Sequence, residues 1–128
     1  YWEYPSKTLT GITGITGAAK TIKDPIVDKI ALESVTAIDD NPNGIFSVDM
    51  TYDGNGVPNP TEINIGKFFT THYFFARAGL NFPEIYVKLA FDEPVDKLGI
   101  NPLKPGFVWI RGVDSEPVLT TVKKVGLD

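Results

Sequence analysis

The sequence predicts an all-β fold, an antiparallel β-sandwich of the Ig-like or jelly-roll-like kind with an extended N-terminal arm. Short apolar segments alternate with period two, as strands do when they bury one face. Ten Pro and twelve Gly residues mark turns between these segments, where a missing N–H does no harm. The predicted boundaries are an arm over residues 1–23 and a sandwich domain over residues 24–128.

The arm differs in composition from the rest of the chain. Gly11, Gly14 and Gly17 recur at every third position, and Gly loses the most conformational entropy when it is fixed. We therefore expect a neighbouring copy of the chain to hold the arm in place. Aromatic and apolar residues offer contact area at low rotamer cost. The predicted interface residues are Tyr1, Trp2, Tyr4, Leu9, Ile12 and Ile15. Ile12 and Ile15 would face opposite sides of a regular strand, which requires a two-sided fit or a bulge at Gly14.

The first segment of the domain admits two interpretations. Residues 29–38 fit a strand, with Ile30 and Ile38 on one face. A short amphipathic helix starting near Asp24 is the alternative, because Ile26 and Ile30 also have helical spacing. The sequence alone leaves this choice open.

The clearest strand of the chain comes next. Residues 46–52 alternate strictly between apolar and polar side chains, and Asx- and Gly-rich turns precede and follow them. Pro58 and Pro60 are expected to extend the second turn into a longer loop.

Residues 67–77 form an aromatic-rich segment that is harder to assign. A strand is favoured because Thr70, Thr71 and the aromatic residues suit a pleated surface, although both of its faces would need cover. A helix is the alternative, and it would end well at Gly79 as a C′ cap.

Three more strands are predicted in the last third of the chain. They span residues 85–91, 106–111 and 118–125, and each is bounded by Pro or Gly. The apolar phase of the predicted strands should form the core. The predicted core residues are Phe46, Val48, Met50, Val87, Leu89, Phe91 and Trp109.

Charge and composition exclude several functional classes. The net charge of −4, without a basic stripe, argues against nucleic-acid binding. No apolar run approaches the roughly 18 residues that a membrane span needs. The absence of Cys excludes disulfides and thiolate metal sites. A first residue other than Met fits a chain from which a secretory signal was removed, and it fits an excised domain equally well. On the first interpretation, we expect an extracellular or cell-surface location.

Two acidic turns are the best candidates for a ligand site. Carboxylate, amide and backbone oxygens of such turns suit Ca²⁺. The candidate residues are Asp39, Asp40, Asn43, Asp53 and Asn55. The two turns should lie roughly 25 Å apart, at ~3.3 Å per residue along the strand between them, so one subunit cannot join them into one site. Turns need Asx and Gly residues in any case, and this plain structural role is the favoured interpretation.

No catalytic constellation emerges from the sequence. His72 is the only His, and no Ser lies in a G-x-S-x-G elbow. We expect His72 to be a half-buried structural residue and the chain to be no enzyme.

The sequence favours a non-enzymatic secreted subunit that assembles with itself. We expect an extracellular filament, pilus or surface layer in which the N-terminal strand is exchanged between subunits by β-strand addition. The alternative is an extracellular carbohydrate-binding or adhesion module with structural calcium, in which an outward-facing Tyr86 stacks on sugar. Trp109 is expected in the core, and a small hydrolase is the least favoured function.

Overall fold

Helices and strands hold roughly equal shares of the chain. The structure, a computed structural model, describes residues 2–3, 17–96, 98–112 and 116–126. In chain order the elements are β1 Trp2–Glu3, β2 Ala18–Thr21, α1 Pro25–Thr36, β3 Phe46–Tyr52, β4 Pro58–Ile65, α2 His72–Arg77, α3 Phe82–Ala90, β5 Phe107–Ile110, β6 Val118–Thr121 and α4 Val122–Val125. The predicted antiparallel pairing is confirmed, but four helices accompany the sheets. The fold is therefore mixed, and it is not clearly the predicted all-β sandwich.

Two separate antiparallel sheets contain the described strands. The larger sheet has the order β1-β2-β5-β6, and the smaller one is the β3–β4 hairpin. In the larger sheet, β2 lies between β1 and β5, so the range 1–23 assigned to the arm contains an interior strand. That the residues before Gly17 form an extended arm outside the domain stays a prediction.

Helix α1 confirms the helical alternative for the first segment, and the strand interpretation of residues 29–38 is wrong. The Asp24 carboxylate accepts hydrogen bonds from the N–H groups of Ile26 at 2.9 Å and Val27 at 3.4 Å, which satisfies two donors that a helix start leaves free. Pro25 occupies the first turn, where its missing N–H is harmless. The helix packs on the hairpin, more closely on β4 than on β3, and buries Val27 and Val35.

The β3–β4 hairpin confirms one predicted strand and adds one that was expected to be loop. β3 matches the predicted range 46–52. β4 begins at Pro58 and includes Pro60, with a register irregularity beside Met50. The Pro residues are tolerated because their nitrogens point away from β3, as the ladder pattern below shows.

Helix α2 shows that the strand interpretation of residues 67–77 is wrong and that the helical alternative is correct for its second half. The end of the helix explains why. The Leu80 N–H donates to the Phe75 carbonyl at 2.7 Å, and the Gly79 N–H donates to the Ala76 carbonyl at 3.1 Å. This is a Schellman ending, and Gly79 supplies the left-handed conformation it needs, with φ +101°.

Helix α3 replaces the predicted strand at 85–91, which is wrong. The Asn81 side chain accepts from the Glu84 N–H at 3.3 Å and donates to the Glu84 carboxylate at 3.2 Å, so it caps the start. Lys88 donates to Glu84 one turn later at 2.7 Å. These local helix signals outweigh the period-two alternation, since Phe82 and Ile85 also fit a helical period and pack against the core.

The C-terminal segments are partly as predicted. β5 confirms the strand expected at 106–111. The strand expected at 118–125 covers only β6, after which the chain turns into the short helix α4. Among the described residues, no helix has the length and hydropathy needed to cross a membrane.

The main core lies where α2 and α3 pack on the larger sheet. It contains Phe74, Phe75, Leu80, Leu103 and Trp109. Of the predicted core residues, Trp109 is confirmed, and Phe46, Val48 and Met50 are half-buried. The predicted burial of Val87, Leu89 and Phe91 is wrong, because α3 turns these side chains outward and leaves Phe91 75% exposed.

Candidate assembly surface

The edge of the larger sheet at β2 is the place where the start of the chain is held. Trp2 lies opposite Thr21 and Glu3 opposite Lys20, so a ladder of two residue pairs joins β1 to β2. On its other side β2 pairs with three residues of β5. The first strand is therefore attached through the shortest ladder of this sheet.

β2 itself is anchored in the core. Ala18, Ala19 and Thr21 are each at most 3% exposed. The Thr21 hydroxyl donates to the Lys104 carbonyl at 2.8 Å and accepts from the Phe107 N–H at 2.9 Å, so this buried polar group is satisfied. Arg111 N–H donates to the Gly17 carbonyl at 2.9 Å. Burial and these hydrogen bonds therefore hold β2 in place beside β5.

Of the predicted interface residues, only Trp2 falls within the described chain, as part of β1. The other predicted interface residues, Tyr1, Tyr4, Leu9, Ile12 and Ile15, lie outside the described residues.

Many large apolar side chains of the described residues are about half or more exposed. They include Ile26, Leu32, Ile38, Ile65, Val87, Leu89, Phe91, Ile100 and Val118. Single exposed apolar residues are ordinary, and only contiguous patches of them mark interaction sites.

The two edges of the β3–β4 hairpin are chemically different. The Gly66 N–H donates to the Ile45 carbonyl at one end, and the Asp53 N–H donates to the Val57 carbonyl at the other, both at 2.9 Å. Odd-numbered residues of β3 therefore direct their backbone groups toward β4, and even-numbered ones direct theirs outward. By the same alternation, Pro58 and Pro60 of β4 face its outer edge.

The predicted calcium turns serve as turn-stabilising groups. The Asp39 carboxylate accepts from the Asn41 N–H at 2.9 Å. The Asp53 carboxylate accepts from the N–H groups of Asn55 and Val57, both at 2.9 Å. These are Asx turns, the role that was favoured. Asp40 and Asn43 lie in the first turn, which is separated from the second by β3.

Calcium binding at these turns stays a prediction. Within residues 2–3, 17–96, 98–112 and 116–126, no group of three or more His, Asp or Glu side chains is placed to hold a metal ion.

The half-burial predicted for His72 is confirmed. The residue lies at the start of α2, and its Nδ1 is 2.8 Å from the Phe69 carbonyl. Its ring also contacts Phe68, with centroids 5.6 Å apart. A ring nitrogen paired with a backbone carbonyl in this way holds the loop before α2.

Tyr86 is exposed as predicted, although it lies on α3 and not on a strand. Its ring is 47% exposed and meets Phe68 edge-on, with centroids 6.1 Å apart. Trp109 is 3% exposed, packs on Phe74 and Tyr73, and finds no hydrogen-bond partner for its Nε1 among the described residues. The aromatic candidates for stacking on a sugar are Trp2, Tyr4, Tyr86 and Trp109. Of the two whose side chains the structure describes, Tyr86 is the one with an exposed face.

The local charges include one destabilising pair. Asp49 and Glu62 lie directly opposite each other in the hairpin. Partial desolvation and the Glu62 charge raise the pKa of Asp49, and Lys67 opposes this shift. On α3, the hydrogen bond from Lys88 lowers the pKa of Glu84 and raises that of Lys88. The exposed α3 pair is an ordinary helix-stabilising contact.

Two shallow grooves flank Leu98, with volumes of about 270 and 300 Å³. Leu80 lines both. Ligand sites usually occupy about 300–1,000 Å³ and converge several polar groups on the ligand, so these grooves do not stand out as such a site.

Compared with protein-family models, curated proteins and solved structures, the chain shows no match to any of them.

The sequence reasoning missed the outer edge of β3 as a candidate interaction site. A signal was present in Pro58 and Pro60. Two Pro residues at positions i and i+2 direct both nitrogens to the same side of a strand, which is typical of a protected sheet edge.

Proposed function

We propose that this chain is a non-enzymatic structural subunit that assembles with copies of itself into an extracellular filament, pilus or surface layer. Assembly would proceed by exchange of the N-terminal strand, with β1 of one subunit pairing with β2 of its neighbour.

The observation that carries this proposal is the pairing of Trp2 and Glu3 with Thr21 and Lys20. A strand from another copy can form the same two-pair ladder, because it has the same sequence. Exchange of an identical element changes no contact in the sheet, so it costs little free energy beyond that of association. β2 is buried and paired with β5, so it offers the same edge to either strand.

The chain that joins β1 to β2 supports the exchange. Residues 4–16 carry Gly at two positions and one charged residue, Lys7. At ~3.3–3.6 Å per extended residue, these thirteen residues are long enough to carry the first strand to a neighbouring copy. Exchange that does not close on itself propagates from subunit to subunit and produces a fibre.

The exposed apolar side chains support assembly in a second way. Burial of apolar area contributes about 25 cal/mol per Å², so a surface of this composition gains free energy when subunits cover one another. Phe91 and Ile100, each about three-quarters exposed, are the most exposed of these residues.

Paired cysteines can test strand exchange directly, because the chain has no Cys of its own. We would introduce Glu3→Cys together with Lys20→Cys, at positions that face each other in the ladder. Exchange predicts disulfides between chains, seen as a ladder of covalent oligomers on a non-reducing gel. Disulfides confined to single chains, under conditions where the unmodified protein associates, would show that β1 pairs with β2 of its own chain and is not exchanged. Each single Cys variant is a control for random cross-linking.

A carbohydrate-binding or adhesion module with structural calcium is the second candidate. The exposed ring of Tyr86 favours it, since an aromatic face supported by Phe68 can stack on a sugar. Binding of the chain to a glycan array, lost in Tyr86→Ala and independent of self-association, would favour this function over assembly.

A further inference from the structure

The outer edge of β3 is the one long strand edge of the hairpin without protection. On β4, two of the outward positions are Pro58 and Pro60, which have no N–H to offer, and an irregularity next to Met50 breaks the register. Natural proteins use such features to block strand addition. β3 contains no Pro, and no described strand pairs with its outer side.

The backbone groups available at this edge belong to Phe46, Val48 and Met50. They alternate with Ser47 and Asp49, whose backbone groups face β4. The side chains of these three apolar residues are half-buried, so a partner strand could bury the part that is still exposed to solvent. A two-stranded sheet is only marginally stable alone, and a third strand would add a ladder to it.

The charges of β3 select its partner. Asp49 is the only charged residue of the strand, and it already faces Glu62. A strand that placed another carboxylate opposite Asp49 would be rejected, because like charges in facing positions repel.

A second copy of β3 meets this condition in one antiparallel arrangement. With a two-fold axis at Val48, Phe46 faces Met50 of the partner subunit. Asp49 then faces Ser47 of the partner subunit, whose hydroxyl can donate to the carboxylate. Each of the three apolar pairs would exchange two backbone hydrogen bonds. With the axis at Asp49 instead, the two Asp49 carboxylates would face each other.

We propose that the outer edge of β3 pairs antiparallel with the same edge of a second copy about a two-fold axis at Val48, which joins two hairpins into one four-stranded sheet. This contact rests on the self-association of the proposed function, but not on exchange of the N-terminal strand. It is isologous and uses a different part of the molecule.

Proline substitution tests the edge without removing the ladder inside the hairpin. Val48→Pro removes an outward N–H on β3, and Ile63→Pro removes an outward N–H from the residue that faces Val48 on β4. Association of the full chain would be measured by analytical ultracentrifugation, with circular dichroism as a check on folding. Val48→Pro should weaken association by about tenfold or more, because the axis pair loses its hydrogen bonds. Ile63→Pro should change it by less than about twofold. Equal effects of the two variants, or none from Val48→Pro, would overturn the proposal.

A cysteine variant keeps the test decisive where a Pro variant fails to fold. Val48→Cys lies on the proposed axis, so two copies place the same thiol opposite itself and should form a disulfide dimer on mild oxidation. Ile63→Cys, on the other strand, should not. Failure of Val48→Cys to cross-link at concentrations where the protein associates overturns the β3 contact.

The failures of the two proposals are distinguishable. Cross-linking of Glu3→Cys/Lys20→Cys between chains without a Val48→Cys dimer supports strand exchange and rejects the β3 contact. A Val48→Cys dimer with only intrachain disulfides in the double variant supports the β3 contact and rejects strand exchange.

Discussion

Asp49 and Glu62 face each other across the β3–β4 hairpin, so two carboxylates occupy one cross-strand pair. Partial desolvation and the charge of Glu62 raise the pKa of Asp49 in the folded protein. The folded state therefore binds a proton at Asp49 more tightly than the unfolded chain does. This pair costs stability at neutral pH.

The first prediction follows from the upward shift of the Asp49 pKa on folding. As the pH falls through the raised folded pKa of Asp49 toward its ordinary value of 3.8, the contribution of Asp49 to stability should rise. Asp49→Asn and Glu62→Gln should each stabilise the protein at pH 7 by about 0.2–1 kcal/mol, measured by urea unfolding. The gain should shrink at pH 4, where Asp49 is more protonated. A loss of stability at pH 7 in both variants would contradict this account of the pair.

The second prediction concerns the start of α1. The Asp24 carboxylate caps the helix and also accepts a hydrogen bond from the Tyr52 hydroxyl at 3.1 Å. Asp24→Ala should lower the free energy of unfolding by about 1–2 kcal/mol. Asp24→Asn keeps a capping oxygen and should lose much less. Denaturant titration distinguishes these outcomes, and equal losses in both variants would mean that the cap is not the cause.

The third prediction contrasts two Phe residues. Phe74 is fully buried against Trp109, whereas Phe91 is 75% exposed at the end of α3. Phe74→Ala should cost about 3–5 kcal/mol through lost burial and a cavity. Phe91→Ala should change monomer stability by less than about 0.5 kcal/mol. A larger loss for Phe91→Ala than for Phe74→Ala in denaturant titrations would contradict this assignment of the core.

The fourth prediction tests the Schellman ending of α2. Gly79 has φ +101° and open space where a Cβ would lie, so Gly79→Ala meets backbone strain without a clash. We expect a loss of about 1–2 kcal/mol. Gly54 also has open space, but its φ is not positive, which makes Gly54→Ala the matched control. Its thermal midpoint should stay close to that of the unmodified protein, and a similar drop for both would point to a cause other than φ.

The fifth prediction concerns the residues before β2. Removal of residues 1–16 keeps Gly17, whose carbonyl accepts from Arg111, and exposes the edge of β2. We expect a folded monomer that no longer assembles and that binds the peptide 1–16 when it is added back. Light scattering and circular dichroism give the two readouts. Unfolding of the truncated chain would assign these residues to its own core, and normal assembly would remove them from the mechanism.

The sequence predicted the strand with an unambiguous alternation and missed helices whose local signals compete with a period-two pattern. β3 alternates over seven residues and was identified from that pattern alone. Helix α3 was missed because Ile85, Val87, Leu89 and Phe91 mimic a strand, although the cap at Asn81 marked a helix start.

The candidate assembly surface shows the same limit. The aromatic and apolar residues of the arm suggested an interface, but nothing in the sequence indicated that the first strand pairs with β2. The pairing of β2 with β5 joins segments far apart in the chain, and no local pattern in residues 18–21 indicates an interior strand. The outer edge of β3 likewise became apparent only after Pro58 was placed in β4.

The order in which the chain leaves the ribosome has a consequence for the larger sheet. Phe107 donates to Thr21 across a separation of 86 residues, so β2 has no partner on that side until β5 has been made. The hairpin and the first three helices are complete in sequence before that point, and contacts between distant segments form slowly. During this interval β2 is an unfinished edge, and nascent chains that lie close together could pair through it. This edge lies on the opposite side of β2 from the one that pairs with β1, so during synthesis β2 exposes a second edge, apart from the one that we assign to strand exchange.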